Sequence, residues 1–198
     1  MSVKKMIHLT IAAVVVVVVY FGWKLTSRSA YESAEYTVLE SDDSFEIREY
    51  PDLMMATTDI KQGSQGNDGS FMRLFDYISG ENELKQKVAM TTPVFMEQDT
   101  ADTEGQMGFV LPKQVAEQTI PDPSDDKVEI RKRAGGKFAV IRFAGRMDSK
   151  TIAAAEDKLR NWMKEKGLVG DGETVLAGYD PPWTPGPLRR NEALIRLH

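Results

Sequence analysis

Few side chains in this sequence are of the types that carry out catalysis or bind transition metals. Cysteine is absent from all 198 residues, and histidine occurs only twice, at His8 and His198. Thiolate nucleophiles, thiolate metal sites and disulfides are therefore excluded, and two imidazoles cannot meet within the body of a domain. The same scarcity excludes an ordinary Ser-His-acid triad.

Paired carboxylates are the other usual sign of an enzyme, and the sequence has two such pairs, Asp42-Asp43 and Asp125-Asp126. Both pairs lie in turn-forming stretches, so we interpret them as solvated turn residues. No Gly-rich phosphate loop, His-Glu-x-x-His or Gly-x-Ser-x-Gly motif occurs. Because no nucleophile and base can be paired, the sequence predicts a protein that is not an enzyme.

Residues 178–192 could bind an acidic ligand without catalysing a reaction. This Pro-rich segment ends in Arg189-Arg190-Asn191-Glu192. Arg189 or Arg190 could hold the ligand's acidic group, with Glu192 as the countercharge that orders them. The alternative is a stiff loop that Trp183 packs over one end of a sheet.

Met90 is a second candidate ligand-binding side chain. It lies just before Pro93, where a strand must be interrupted because proline cannot donate to a ladder. Its thioether could be a soft ligand or a pliable pocket wall, although core packing explains the residue as well.

The hydrophobic pattern shows which elements would position these side chains. Strand-like alternation covers residues 36–40, 45–49 and 53–60, and further strands are predicted at 86–90, 93–97 and 107–111. Between the two groups, four apolar residues at i, i+3, i+4 and i+7 predict a helix with one buried face: Phe71, Leu74, Phe75 and Ile78. Asp68 or Ser70 can begin this helix and Gly80 can end it.

The same order of elements then begins again. Phe45-Glu46-Ile47-Arg48 matches Val128-Glu129-Ile130-Arg131, and a second helix, with Trp162 on its buried face, follows at nearly the same interval. Strands at 127–132, 137–144, 174–179 and 191–197 complete the second half. A duplicated strand-strand-helix-strand-strand unit is therefore predicted, with a ligand groove where the two sheets and helices meet.

The first thirty residues predict a membrane segment. Residues 6–25 are almost wholly apolar and, as a helix, would be about 30 Å long, enough to cross a bilayer core. Lys4 and Lys5 precede this run and aromatic residues end it, which favours a transmembrane anchor with the domain on the extracytoplasmic side. A cleaved signal, leaving a secreted protein, is the alternative. Residues 31–35 are predicted to be a tether and residues 36–198 the folded domain.

The charge of the remaining chain argues against nucleic acid as a partner. Four of the 25 basic residues lie in the first thirty positions, which contain no acid, so the remainder has 21 basic and 30 acidic side chains, a net charge of −9. Binding to phosphates needs a basic surface that so acidic a domain does not offer.

Several motifs, in order, give residues 36–197 a resemblance to the SOUL haem-binding family. Residues 45–51, Phe-Glu-Ile-Arg-Glu-Tyr-Pro, are similar to the family's opening strand, and residues 71–80 to its first helix. Residues 90–94, Met-Thr-Thr-Pro-Val, and the closing segment 178–192 match its later signatures. The resemblance implies an α+β fold, a distorted antiparallel β-barrel of two βαββ-type repeats with two helices packed outside.

The resemblance also implies a ligand, haem or a related tetrapyrrole, held in an apolar groove beside the first helix. A histidine ligand is suggested for only some members, and this chain has no histidine between His8 and His198. Haem would therefore bind without a His axial ligand, through apolar contacts and nearby cations. The residues implied are Phe71, Met72 and Phe75 against the ring, Arg73 or Lys87 near the propionates, and Met90.

Three functions follow from these observations. The favoured hypothesis is a non-enzymatic haem or tetrapyrrole carrier or buffer, whose partners are a hydrophobic small molecule and, through residues 1–30, a membrane. The first alternative is a protein-interaction module of the same fold that has lost the ligand. The second is a hydrolase or lyase acting on a hydrophobic small molecule.

Overall fold

The structure is a computed structural model that describes residues 31–61, 68–97, 105–181 and 183–198. Residues 31–198 make up one compact unit. The segment 1–30, for which the sequence predicts a membrane anchor or signal, lies outside the described residues.

Strands and helices follow one another in nearly the predicted order. Three α-helices are found in the described part of the chain: α1 (Ser70–Ser79), α2 (Lys113–Ala116) and α3 (Ser149–Lys166). The strands found there are β1 (Glu32–Ser33), β2 (Thr37–Asp42), β3 (Phe45–Tyr50), β4 (Leu53–Asp59), β5 (Thr91–Thr92), β6 (Val94–Glu97), β7 (Gln106–Val110), β8 (Glu129–Arg133), β9 (Gly136–Phe143), β10 (Val175–Gly178) and β11 (Asn191–Arg196).

Nine of the described strands form one curled antiparallel sheet in the order β2-β3-β9-β11-β10-β6-β7-β4-β8. The two repeats meet where β10 pairs with β6. The first repeat contains β3, β4, β6 and β7, and the second contains β8, β9, β10 and β11. Beyond β10 the sheet continues with β11, β9 and β3, and beyond β6 it continues with β7, β4 and β8. The first strand of each repeat therefore pairs with the second strand of the other repeat. The predicted α+β class, a distorted antiparallel barrel of two repeats with two packed helices, is confirmed.

Alternate residues of each strand face the two sides of the sheet, so apolar residues are buried on both faces, in one cluster on the inner face and two on the outer face. The inner face holds one apolar cluster, with Tyr50, Phe95, Phe138 and Leu194 among its members. On the outer face, α1 packs against β4 and β7, and α3 packs against β9 and β11. The inner face is thus the side that the helices leave uncovered.

The second predicted helix is confirmed in register and in its ends. The Asp148 carboxylate accepts the backbone N–H of Thr151 at 2.8 Å, and Gly167 ends the helix at a φ of 68°. Trp162 is buried, and its ring stacks on Phe45 at 5.1 Å between centroids.

The first helix differs from its prediction in the position of its buried face. Leu74, Tyr77 and Ile78 are buried, whereas Phe75, predicted on the buried face, is 43% exposed. Successive residues are 100° apart around the helix axis, and the side that faces the sheet is centred between Leu74 and Tyr77. Phe75 lies at the edge of that side, so the sheet does not cover it. The prediction that Phe75 belongs to the buried face is wrong.

Residues 86–90 do not form the predicted strand. Their backbone groups bond to the end of α1 and to the turn that follows it, not to a neighbouring strand. Val88 N–H donates to the carbonyl of Ile78 at 2.9 Å, and the Asn82 amide bonds both backbone groups of Gln86 at 2.7 and 3.0 Å. The segment therefore lies against the end of α1.

Residues 31–35 contact the domain. β1 pairs in parallel with β5, and the N–H of Ala34 donates to the carbonyl of Thr92 at 2.7 Å. Ala34 is buried in the inner cluster. The folded unit of the structure thus includes residues that the sequence predicts as a tether.

The structure contradicts the predicted localisation, membrane-anchored with an extracytoplasmic domain. Across residues 31–61, 68–97, 105–181 and 183–198, no helix combines the length and the apolar content needed to cross a bilayer. The longest of these helices, α3, buries one face on the sheet and exposes the rest.

Candidate functional site

The outer flank of α1 carries an exposed apolar surface. Met72 is 52% exposed and Phe75 43% exposed, although both are large apolar side chains. The rings of Phe71 and Phe75 stack at 6.2 Å with planes 14° apart, and Phe71 meets Phe109 edge-on at 5.3 Å. We call Phe71, Met72 and Phe75 the α1 patch; it is anchored to the outer core through Phe71 and open to solvent at Met72 and Phe75.

Asp68 and two glycines position α1. The Asp68 carboxylate accepts the N–H groups of Ser70 at 3.1 Å and of Lys61 at 2.7 Å. Partial burial opposes ionisation, but these hydrogen bonds outweigh it and lower the pKa of Asp68 to about 2. Gly69 and Gly80 both have positive φ, 87° and 116°, which favours glycine at the two ends of the helix.

Arg73 lies away from the α1 patch. Arg73 precedes Phe75 by two residues, so the two side chains are about 160° apart around the helix axis. Its guanidinium donates to the Thr58 hydroxyl at 3.0 Å and to the carbonyl of Asp59 at 2.9 Å. Arg73 therefore ties α1 to the end of β4.

Lys87 and Met90 lie in the segment that follows α1. Lys87 is exposed, and Met90 is half-buried against the same outer core as Phe71. The bond from Val88 N–H to the carbonyl of Ile78 holds this segment beside the end of the helix. The structure thus brings three of the predicted residues together in the α1 patch, with Lys87 and Met90 on the adjoining segment.

A buried charge network occupies one end of the inner face. Arg48 and Glu192 are fully buried and pair in fork geometry, with Nη1 2.7 Å from Oε2 and Nη2 2.9 Å from Oε1. Arg48 also donates to Glu46 at 2.6 Å, and Arg142 pairs with the other oxygen of Glu46. The Tyr36 ring covers Arg48 at 4.2 Å.

Glu192 also orders Arg190, as the sequence predicts. Arg190 Nη2 lies 2.6 Å from Glu192 Oε1, and the Tyr179 hydroxyl donates to Oε2 at 2.9 Å. Because Glu192 has no exposed surface, this pairing is part of a sealed network. The alternative, a loop that Trp183 packs onto the sheet, is wrong in its packing residue, since Trp183 is 73% exposed.

The network keeps its charges in the ionised form. Burial alone would raise the pKa of Glu192, but the hydrogen bonds and charges of Arg48 and Arg190 outweigh burial and hold the pKa below its ordinary value. Burial likewise opposes the charge on Arg48, and Glu192 outweighs it, so the pKa of Arg48 is raised. For Tyr179, burial and the Glu192 carboxylate raise the pKa.

The opposite end of the inner face is an open groove that sequence reasoning missed. A cavity of about 620 Å³ lies there, and its walls include Phe95, Phe138, Gln106 and Arg133. Atoms of both polar side chains, Gln106 Oε1 and Arg133 Nη1, are buried without a hydrogen-bond partner. Arg133 lies five positions beyond Val128, where the second copy of the repeated motif begins, and its position on a short strand gave no sign that it faces a cavity.

Comparison with known proteins identifies the family. The model of the family described as SOUL heme-binding protein matches residues 31–196. The chain belongs to this family. Heme-binding protein 1 of Xenopus tropicalis is 27% identical over 156 residues, covering 75% of this chain and 81% of that protein. Heme-binding protein 1 of Mus musculus is also 27% identical, covering 79% and 85%.

Solved structures share the fold of this SOUL-family chain at low identity. A hydrolase from Listeria innocua has a TM-score of 0.58 at 13% identity, covering 81% of this chain and 94% of that chain. EcmrR in a complex with DNA has a TM-score of 0.60 at 9% identity, covering 78% and 57%. At such identities the likeness concerns the fold alone.

Within the α1 patch, the side chain that could bind a metal is the thioether of Met72. His198 is the one histidine among the described residues; it is 60% exposed and its Nε2 lies 3.0 Å from Asp171 Oδ1. No group of three or more His, Cys, Asp or Glu side chains that could hold a metal ion occurs in the described part of the chain. Phe75 and Met72 are the exposed apolar side chains of the α1 patch.

Proposed function

We propose that this SOUL-family protein binds haem or a related tetrapyrrole on the α1 patch and acts as a carrier or buffer, not as an enzyme. The observation that carries the proposal is the exposed ring of Phe75, stacked on the partly buried Phe71, with the exposed Met72 beside it. A solvent-exposed aromatic ring held in place by an internal contact offers a preformed platform for a flat ligand. Membership of the family, and relatives named heme-binding protein 1, support a tetrapyrrole as that ligand.

Burial of a porphyrin face against the α1 patch supplies the affinity. Each Å² of apolar surface removed from water contributes about 25 cal/mol, from which the costs of association and of ordering side chains are subtracted. The patch is open on one side, so it covers only one face of the ring. Affinity should therefore be moderate, and release to an acceptor protein can be fast, as a carrier requires.

Iron coordination is a secondary contribution in this proposal. Met72 or Met90 would hold the iron of bound haem through a thioether, whereas His198 lies outside the α1 patch, beside Asp171. Because most of the affinity comes from contact with the ring, iron-free protoporphyrin should bind almost as well as haemin.

Lys87 is the cation proposed for a propionate. It is exposed in the segment that the Val88 to Ile78 hydrogen bond holds beside α1. Arg73 is instead assigned to the attachment of α1, because its guanidinium already donates to Thr58 and Asp59.

Titration of the full chain with haemin and with protoporphyrin tests the proposal. Phe75→Ala should weaken the binding of both porphyrins about tenfold, the effect of losing one stacked aromatic contact. Trp183→Ala, which removes an aromatic residue that is 73% exposed in another element, is the matched control and should leave binding unchanged. Lys87→Met should weaken binding less than Phe75→Ala does.

The absorption spectrum of the haemin complex provides the second readout. Water or a single thioether ligand predicts a spectrum that His198→Ala does not change. A six-coordinate low-spin spectrum that His198→Ala abolishes would contradict the mode of binding. If neither porphyrin binds, the carrier hypothesis is wrong and the protein-interaction module is favoured.

A further inference from the structure

The open groove on the inner face is separate from the α1 patch, because the two lie on opposite faces of the sheet. Its apolar wall includes Met55, Phe95 and Phe138, whose side chains belong to the inner core, whereas Phe71 packs on the outer core. A volume of about 620 Å³ is within the range of small-molecule sites. A ligand in this groove would therefore not contact the proposed tetrapyrrole site.

Arg133 lies at the back of this groove in an aromatic setting. Its guanidinium carbon is 4.5 Å from the ring centre of Phe95, 4.8 Å from that of Phe138 and 6.0 Å from that of Tyr50. These rings stabilise the cation through their faces but accept no conventional hydrogen bond from it. Nη1 is buried and has no partner.

Two other arginines of the inner face have partners. Arg48 is held by Glu46 and Glu192, and Arg196 donates to the carbonyls of Gly135 at 2.8 Å and Ala134 at 2.7 Å. The Glu97 carboxylate acts on Arg133 through its charge and favours the cation. Burial accordingly lowers the pKa of Arg133, with Glu97 only partly offsetting the effect.

A buried cationic donor without a partner is costly to the folded chain. An anionic oxygen against Nη1 would remove that cost with a charge-assisted hydrogen bond. No described side chain supplies such an atom to Nη1, and the carboxylate of a ligand could supply it.

Gln106 adds a second polar atom to the groove. Its Nε2 donates to Asp59 Oδ1 at 3.1 Å. Because an ionised carboxylate can only accept, the end of the amide that contacts Asp59 is the nitrogen. Oε1 is the buried end without a partner. The residues that line the groove therefore include one donor and one acceptor without a hydrogen-bond partner.

The charges around the groove select a monoanion. Five basic and four acidic side chains line it, a net charge of one positive. A phosphate dianion would carry more charge than the single positive charge in excess, whereas one carboxylate matches that net charge. The aromatic and aliphatic wall requires that this carboxylate belong to a molecule with an apolar body.

We propose that the groove is a binding site for a small amphipathic carboxylate, whose carboxylate pairs with Arg133 and whose apolar body lies against Phe95, Phe138 and Met55. A hydroxyl or amide N–H on the ligand can donate to Gln106. The site is distinct from the α1 patch and does not depend on tetrapyrrole binding.

Calorimetric titration of the full chain with submicellar decanoate tests this site. Decanoate should bind, whereas decan-1-ol and decylammonium, which share its chain but not its charge, should bind at least about tenfold more weakly. Arg133→Met, which keeps the aliphatic stem against the rings, should weaken decanoate binding about tenfold or more. Lys137→Met removes the same charge from the exposed neighbour of Phe138 and should leave binding unchanged.

A map of amide chemical shifts in the unsubstituted protein supports the test even if Arg133→Met does not fold. Decanoate should shift amides of β6, β7 and β8, and shifts confined to α1 would overturn the proposal. Decanoate should still bind to Phe75→Ala and to protein saturated with protoporphyrin. Displacement of decanoate by protoporphyrin, equal binding to Arg133→Met, or no binding of decanoate to the unsubstituted protein would each overturn it.

Discussion

The two copies of the Glu-Ile-Arg motif have opposite surroundings in the folded chain. In β3, Glu46 and Arg48 are buried, 5% and 0% exposed, and belong to a network in which every charge has a partner. In β8, Glu129 and Arg131 are exposed. The inner face is therefore sealed by charge pairs at one end and open at the other.

The strands around each copy account for this difference. β3 lies between β2 and β9, whereas β8 is the last strand of the described sheet and pairs only with β4. β11 supplies Glu192 to Arg48, but β7, the corresponding strand of the other repeat, has the sequence Gln-Met-Gly-Phe-Val and no acid to offer Arg131. A motif of three residues thus has no fixed role; its neighbours decide whether it becomes core or surface.

Among the substitutions that compare the two copies, replacement of Arg48 should lower the free energy of unfolding most. Arg48→Met leaves the buried carboxylates of Glu46 and Glu192 short of a partner and should lower the free energy of unfolding by about 3–5 kcal/mol. Arg131→Met, the same change in the exposed copy, should change it by less than about 0.5 kcal/mol. Urea denaturation measures both, and equal losses would show that the two copies do not differ as described.

The aromatic residues of the two repeat helices should also differ in how much they stabilise the fold. Trp162→Ala removes a buried ring that stacks on Phe45 and should cost about 3 kcal/mol, the lower end for buried aromatics, because its indole N–H reaches the exposed Asp42. Phe75→Ala, on the exposed flank of α1, should cost less than about 1 kcal/mol. A loss below about 1 kcal/mol for Trp162→Ala would contradict the packing of α3.

Residues 31–35 should stabilise the sealed end. A chain that begins at Tyr36 loses the β1 pairing with β5 and the buried Ala34. Its free energy of unfolding should be about 1–2 kcal/mol lower than that of a chain that begins at Tyr31. Thermal denaturation of the two chains makes the comparison. Identical midpoints would support the prediction that residues 31–35 are a tether.

Part of the acid dependence of stability should come from Glu192, at the sealed end. The pKa of Glu192 is lower in the folded chain than its ordinary value of 4.5, so its contribution is complete above that pH and is lost as the pH falls toward the folded pKa. Between pH 6 and pH 3, Glu192→Gln should therefore lose stability less steeply than the unsubstituted chain. Glu129→Gln, in the exposed copy, is the control, and a slope that Glu192→Gln does not alter would exclude this carboxylate as the source.

Much of the fold was determined by local patterns that the sequence contains in full. The periodicity around Trp162 and the ends at Asp148 and Gly167 predict α3, because helix packing and capping depend on residues within a few positions of one another. The duplicated order of elements predicts the two-repeat sheet for the same reason, and the family motifs are equally local.

What only the tertiary structure decided is which side chains are covered. Phe75 is exposed and residues 86–90 are not a strand because of where α1 meets the sheet and how Asn82 holds the next turn. Glu192 is both the countercharge of Arg190, as predicted, and the buried partner of Arg48, 144 positions away. Arg133 faces a groove because strands from both repeats bring Phe95 and Phe138 around it. Such burial depends on pairings between distant segments, and a local pattern carries no information about which distant strand will lie beside it.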